Sequence, residues 1–188
     1  MVKPVVKEIE LRIVGIDKSA ITRRLRSIGA KHVAFRRFKR LEVRLVNTPE
    51  FKRWLRLRSD GKSAIFTMKE NHGRKENVHE YSVGVKDFDA MGMIMIRSFS
   101  KNLKAYLESE RDEWKLDGTE ITIDKWPRIP HFMEIEGRSK AQVRKVYKKI
   151  GSPGKPIGNI WDVYRLYGLS FAKVARTSKS TILKKLRT

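Results

Sequence analysis

Along Lys7–Ile13 apolar and charged positions alternate strictly: Glu8, Glu10 and Arg12 share one parity, while Ile9, Leu11 and Ile13 share the other with Lys7. Residues i, i+2 and i+4 share a face of a strand, so this pattern predicts a strand with two carboxylates and a guanidinium side by side, roughly 7 Å apart along the backbone. The same period recurs downstream. Arg56 and Arg58 oppose Leu55 and Leu57; Thr67 and Lys69 oppose Phe66 and Met68; Glu80 opposes Tyr81. Thr122 and Asp124 oppose Ile121 and Ile123, and Glu134 and Glu136 oppose Met133 and Ile135. The stretch Lys31–Asn47 also reads as strand, but neither parity is clearly apolar and a bulge or break is expected.

Between these strands the period changes to that of a helix. Ile21, Leu25 and Ile28 form one stripe, with Asp17 as N-cap and Gly29 as stop. Ala90, Met91, Ile94 and Met95 form a second stripe behind Asp87; Val143, Val146, Tyr147 and Ile150 form a third, between Ser139 and Gly151. A short helix is expected over Asn159–Tyr167, and the last dozen residues, which are basic, are expected to fray. Asp60-Gly61 and Asp117-Gly118 are hairpin signals. Many hairpins with three amphipathic helices predict an α+β fold on an antiparallel sheet.

The 188 residues, 40% hydrophobic and 34% charged, suit one globular domain. We place it at 1–170, with the basic tail at 171–188. The absence of cysteine excludes disulfides and thiolate chemistry. No secretory signal or membrane-length apolar run is evident, so a cytoplasmic protein with no membrane partner is expected. No glycine-rich phosphate loop, histidine cluster or Ser-His-Asp arrangement is present. The net charge of +22 favours polyanions as partners, nucleic acid among them through the basic surface.

Five strands with one ionisable face admit two arrangements. The charged faces could lie in water, or they could line an inverted barrel whose apolar outside is covered by the helices. The three helical stripes favour the second, because the apolar strand faces are the only large surface on which they could be buried. A cationic wall suits a polyphosphate. Carboxylates in excess of their local bases suit Mg²⁺ or Mn²⁺.

Glu8-Ile9-Glu10-Leu11-Arg12 resembles the Glu-x-Glu-x-Lys signature of the CYTH superfamily, the triphosphate tunnel metalloenzymes. Arg56-Leu57-Arg58, Lys69, Glu80, Arg111, Asp124 and Glu134-Ile135-Glu136 follow in that family's order, over roughly residues 5 to 150. The resemblance implies an eight-stranded antiparallel β-barrel tunnel with amphipathic helices outside. It implies Glu8, Glu10, Asp124, Glu134 and Glu136 as metal ligands, and Arg12, Arg56, Arg58, Lys69, Glu80 and Arg111 as substrate-binding residues. Arg12, Asp124 and Glu136 would be catalytic. The implied substrate is a triphosphate such as ATP or thiamine triphosphate. The lead activity is a class IV adenylyl cyclase; the alternatives are a triphosphatase or a weakly catalytic phosphate- or RNA-binding module. Homodimers are frequent in the family. The chain departs from the pattern at Arg12, where the family usually has lysine; at Glu108 and Ser109, where it often has a second base; and along Phe35–Asn47, which is unusually basic.

Overall fold

The computed structural model describes residues 9–73, 78–175 and 177–186. The chain forms two compact units, Val6–Arg37 with Ser109–Phe171, and Phe38–Glu108 with Ala172–Thr188. The first carries most of the acidic site candidates and the second most of the basic ones. They are called here the carboxylate unit and the cationic unit.

In the carboxylate unit, β1 (Ile9–Val14) is followed by α1 (Lys18–Ser27). The end of β6 (Leu103–Leu116) then leads into β7 (Thr119–Lys125), β8 (Phe132–Gly137), α3 (Lys140–Ile150), β9 (Lys155–Ile157) and α4 (Ile160–Leu166). The strands pair in the order β6-β7-β8-β1-β9, all antiparallel. Alternation decides which side is buried. Ile13, Trp114, Leu116, Ile121, Ile123, Met133 and Ile135 pack in one core with Ile21 and Leu25 of α1 and Val143, Val146 and Ile150 of α3. Each such side chain contributes about 1.5–3 kcal/mol on leaving water.

The helix ends follow local chemistry. The Asp17 carboxylate accepts the Ala20 N–H at 2.6 Å, and the Ser139 hydroxyl accepts the Gln142 N–H at 3.1 Å. Gly151 ends α3 in the left-handed region, at φ 103°.

In the cationic unit, β2 (Lys31–Asn47), β3 (Lys52–Ser59), β4 (Ala64–Asn71) and β5 (Val78–Val85) form an antiparallel meander. Its core joins Leu41, Val43, Leu55 and Leu57 to Phe88, Met95 and Ile96 of α2 (Phe88–Ser98). The ambiguous β2 is thereby settled: Leu41 and Val43 are fully buried, so Arg40, Glu42 and Arg44 share the opposite, ionisable parity. The expected irregularity is a register shift between Arg44 and Val46.

The predicted antiparallel α+β sheet is observed, with two corrections. Among the described residues there are nine strands rather than eight, in the order β5-β4-β3-β2-β6-β7-β8-β1-β9, and the end strands β5 and β9 are not hydrogen-bonded to each other. The additional strand is β9, three residues long and centred on Pro156, which donates no ladder bond and reads in sequence as linker. After α4 come α5 (Phe171–Ala175) and, within the last dozen residues that were expected to fray, α6 (Lys179–Lys185); Ile182 and Leu186 are buried in the cationic unit's core. Among the described residues no helix is long and apolar enough to cross a membrane.

The two Asp-Gly hairpins differ. Asp117 and Gly118 both take positive φ, 49° and 73°, as a two-residue type I′ connection requires. At the first hairpin only Gly61 does, and the Asp60 carboxylate closes the loop by accepting the Lys62 and Ser63 N–H groups.

Candidate active site

The carboxylate unit turns Glu10 and Arg12 of β1, Glu134 and Glu136 of β8, Thr122 and Asp124 of β7, and Arg111 of β6 to the face away from its core. Register places Arg12 opposite Glu134, Glu10 opposite Glu136, and Arg111 opposite Asp124. The Arg12 guanidinium lies between Glu10 and Glu134. Its Nε donates to Glu134 Oε1 at 2.7 Å, its Nη2 pairs with Glu10, and its Nη1 donates to the Gly158 carbonyl at 2.7 Å. Arg111 forks onto Asp124, with Nε to Oδ1 at 2.8 Å and Nη2 to Oδ2 at 3.0 Å; Nη2 also reaches Glu134 at 3.1 Å. The Thr122 hydroxyl completes the shell of Asp124 at 2.9 Å. Glu134 therefore joins two guanidinium groups in one network.

Burial raises the pKa of the Glu10 carboxyl, and the Glu134 charge adds to the rise against the opposing pull of Arg12 and Arg111. Burial likewise pushes Asp124 up, with the Arg111 fork drawing it back. Burial disfavours the Arg111 charge, but Asp124 and Glu134 more than offset it and hold that group above its ordinary value.

One observation bears directly on a metal. Glu136 lies opposite Glu10 on one side and opposite Glu120 on the other, which puts three carboxylates in a single cross-strand row. Like charges facing each other destabilise a sheet. Carboxylate oxygens are the ligand type that a hard dication takes. Among the described residues no three His, Cys, Asp or Glu side chains are gathered around a common point, and guanidinium groups lie between several of them. A metal would have to share or displace Arg12. Glu8 lies outside the described residues.

In the cationic unit the opposite-to-core face carries Arg40 and Arg58 as one cross-strand pair, Glu42, Arg56 and Thr67 as a second row, and Arg44, Trp54, Lys69 and Glu80 as a third. Lys69 pairs with Glu80, and Arg56 approaches the same carboxylate at 3.9 Å. Arg58 is set over the Phe38 ring at 5.2 Å. The Nε groups of Arg44 and Arg56 are buried and, among the described residues, have no hydrogen-bond partner. A buried charged donor without an acceptor is costly, and an anion would supply one.

Burial and then the neighbouring Arg56 lower the pKa of Lys69, against the support of Glu80. The consequence is testable. Its positive charge is lost at a lower pH than that of a free lysine, which titrates near about 10.4. Tripolyphosphate binding measured by calorimetry should weaken as pH rises through that lowered value. Lys69→Arg, which stays charged, should remove this alkaline limb.

Of the site residues expected from sequence, the structure gathers Glu10, Arg12, Arg111, Asp124, Glu134 and Glu136 on the sheet face of the carboxylate unit, and Arg56, Arg58, Lys69 and Glu80 on that of the cationic unit. Sequence reasoning put Thr122 on the same face as Asp124 without a role, and did not single out Glu120, Arg40, Glu42, Arg44, Trp54 or the Gly158 carbonyl. Parity within β7 contained the signal for Glu120 and Thr122; no local signal marked Gly158. Glu108, at a position where a second base was sought, is held by Lys185 and by the Tyr106 hydroxyl.

The fold and this side-chain pattern define an antiparallel α+β protein whose ionisable residues concentrate on the strand face opposite each core. The CYTH domain family model matches residues 6–177, and the chain belongs to that family. Among solved structures it resembles a conserved hypothetical protein from Pyrococcus furiosus, at 22% identity and a TM-score of 0.62, covering 77% of this chain and 91% of that one. It also resembles a proposed adenylate cyclase from Bacillus halodurans, at 16% identity and a TM-score of 0.53, covering 81% and 94%. A third is a proposed adenylyl cyclase from Hippeastrum with a dominant triphosphatase activity, at 13% identity and a TM-score of 0.51, covering 95% and 94%. These likenesses establish the fold. A search of curated proteins found no match.

Proposed function

We propose that this protein is a divalent-metal-dependent enzyme acting on a triphosphate. The observation that carries this reading is the row Glu10–Glu136–Glu120, flanked by Glu134. A module that only held phosphate would gain by losing these carboxylates. Glu10, Glu134 and Glu136 would hold Mg²⁺ or Mn²⁺, joined by Glu120 and, from the sequence resemblance, Glu8. Asp124, engaged by Arg111 and Thr122, acts by orienting that arginine. A bound dication would polarise a phosphoryl oxygen and neutralise developing charge.

The chain's own side chains do the rest. Arg56, with its unpartnered Nε, and Lys69 take non-bridging phosphate oxygens, Arg58 adds charge beside them, and Glu80 holds Lys69 in place. Arg12 and Arg111 are fixed forks that cannot give up a proton, so they stabilise charge and do not act as bases. The proton of the attacking oxygen passes to a carboxylate. In cyclisation the ribose 3′-hydroxyl attacks the α-phosphorus and pyrophosphate leaves; in hydrolysis water attacks the terminal phosphorus and the diphosphate leaves.

The class IV cyclase reading is supported by Trp54, an aromatic ring in the same row as Arg44 and Lys69, where a nucleobase could stack. Trp54→Ala should raise KM for ATP about tenfold, as loss of one base–aromatic stack costs about 1–3 kcal/mol. KM for tripolyphosphate, which has no base, should stay within about twofold of the parent. Equal rises for both substrates would remove the nucleotide reading and leave the triphosphatase.

A second reading, a polyanion-holding surface, is favoured by one separate feature. The exposed Arg23, Arg26, Lys140, Arg144, Lys145 and Lys148 of α1 and α3 form no ion pair among the described residues, and neither helix contains an acid. No large apolar side chain is exposed on either helix, which favours nucleic-acid phosphates over a lipid surface. Neutralising Arg23, Arg144 and Lys148 together should reduce the log–log salt slope of duplex binding by about 2.7, at 0.9 per phosphate contact. An unchanged slope would exclude these helices as the binding surface.

A further inference from the structure

The cationic unit holds a pocket of about 380 Å³ lined by Arg44, Asn47, Lys101, Asn102, Leu103 and Lys104. Its lining carries three cations and two amides and no carboxylate. Four features of its construction point the same way.

First, β2 changes register between Arg44 and Val46, and such a bulge bends a strand and re-aims a side chain at its rim. Second, Arg44 is anchored on both sides. Its Nη1 donates to Asn47 Oδ1 at 2.6 Å, and its carbonyl accepts the Asn102 amide at 3.0 Å. Third, the Arg44 Nε is buried without a hydrogen-bond partner among the described residues, although the anchoring fixes its direction. Fourth, Lys104 is crowded: burial and then Arg44 lower its pKa, with Lys52 adding to the effect and Glu42 opposing it. A preset guanidinium with a donor to spare, in a lining that holds two further cations and no carboxylate, is the arrangement that a phosphate oxygen completes.

We infer that this pocket is a phosphate-binding site, at the Arg44 end of the row Arg44–Trp54–Lys69–Glu80 and separate from the Arg56–Lys69 grip. The ligand class is a phosphate dianion. It is either free inorganic phosphate or the distal phosphate of a chain whose other phosphates lie at Arg56 and Lys69. Only the choice of source rests on the triphosphate reading; the binding itself does not.

The test is calorimetric titration of the whole protein with inorganic phosphate, with circular dichroism confirming the fold of each variant. Arg44→Gln should weaken phosphate binding at least about tenfold, from loss of a charge-assisted fork. Arg44→Lys should lie between it and the parent. Lys101→Gln, at an exposed position where misfolding is not a concern, should weaken binding about threefold. Arg56→Gln should leave phosphate binding in place while tripolyphosphate turnover falls. Phosphate binding that survives Arg44→Gln and Lys101→Gln, or that disappears with Arg56→Gln, overturns the site. Displacement of phosphate by tripolyphosphate in an Arg44-dependent way identifies the distal phosphate as the source. Simultaneous binding of the two identifies free phosphate. If the protein turns over no triphosphate, the phosphate titration still decides this inference by itself.

Discussion

Asp124→Ala should lower the thermal unfolding midpoint by roughly 6–12 °C, the largest stability effect expected for any site residue. The Asp124 side chain is only 2% exposed and accepts two bonds from Arg111 and one from Thr122. Removing it leaves a largely buried guanidinium with Glu134 as its remaining partner among the described residues. Breaking a buried pair by deleting one partner costs about 3 kcal/mol or more, and a chain of this size loses about 2–4 °C for each. Removing both partners should be milder than removing one, so Asp124→Ala with Arg111→Leu should recover part of the loss. Differential scanning calorimetry of the two variants checks this. A single variant melting within a degree of the parent would show that Asp124 does not hold the network.

Arg12→Gln should separate metal binding from turnover. The Arg12 guanidinium occupies the space between Glu10 and Glu134, where a dication would need to enter. Two unit charges 4 Å apart exchange roughly 4 kcal/mol at an effective dielectric of 20. Recovering even a third of that would tighten Mn²⁺ binding about tenfold. Turnover should fall by about tenfold or more, because the guanidinium is then missing from the phosphate oxygens. Arg12→Lys, which restores the residue usual in the family, should keep activity and relax the tie to Gly158. Mn²⁺ titration without substrate, followed by electron paramagnetic resonance, reads the first effect independently of catalysis. Unchanged or weaker Mn²⁺ binding in Arg12→Gln would mean that this arginine does not compete with the ion.

The parts of this architecture legible in the sequence were those written in short-range periodicity. Alternation in β1, β3, β4, β7 and β8 identified both faces of each strand, and the caps at Asp17, Asp87 and Ser139 located the helix starts. The β2 strand defeated that reading for a physical reason. Val33 and Phe35 are exposed apolar residues on the parity that buries Leu41 and Val43 further along, so no single parity looks apolar throughout. The consequence was local to the site, since Arg40, Glu42 and Arg44 were left unassigned.

Strand β9 was invisible because three residues around a proline carry no period, and with it went the Gly158 carbonyl that Arg12 uses. The C-terminal helix was hidden by its charge: Ile182, Leu183 and Leu186 are three apolar positions in a short run of lysines, too few for a recognisable stripe, yet Ile182 and Leu186 are buried and Leu183 packs beside them. The sharpest gain from the structure concerns Glu10 and Arg12. In sequence they were neighbours on a face. In the fold, Glu10 belongs to a row of three carboxylates, and Arg12 is the positive charge set beside it.

Product analysis after incubation of the purified protein with ATP, GTP, thiamine triphosphate and tripolyphosphate, each with Mg²⁺ or Mn²⁺ and each with chelator, decides whether the protein is a metal-dependent enzyme acting on a triphosphate. Turnover of at least one of them is expected, abolished by chelator and lost in Glu134→Gln and Arg56→Gln. Cyclic AMP with pyrophosphate would identify the cyclase; a diphosphate with phosphate would identify the triphosphatase. Turnover of none, or turnover indifferent to chelator and to both substitutions, would contradict the reading as a metal-dependent enzyme.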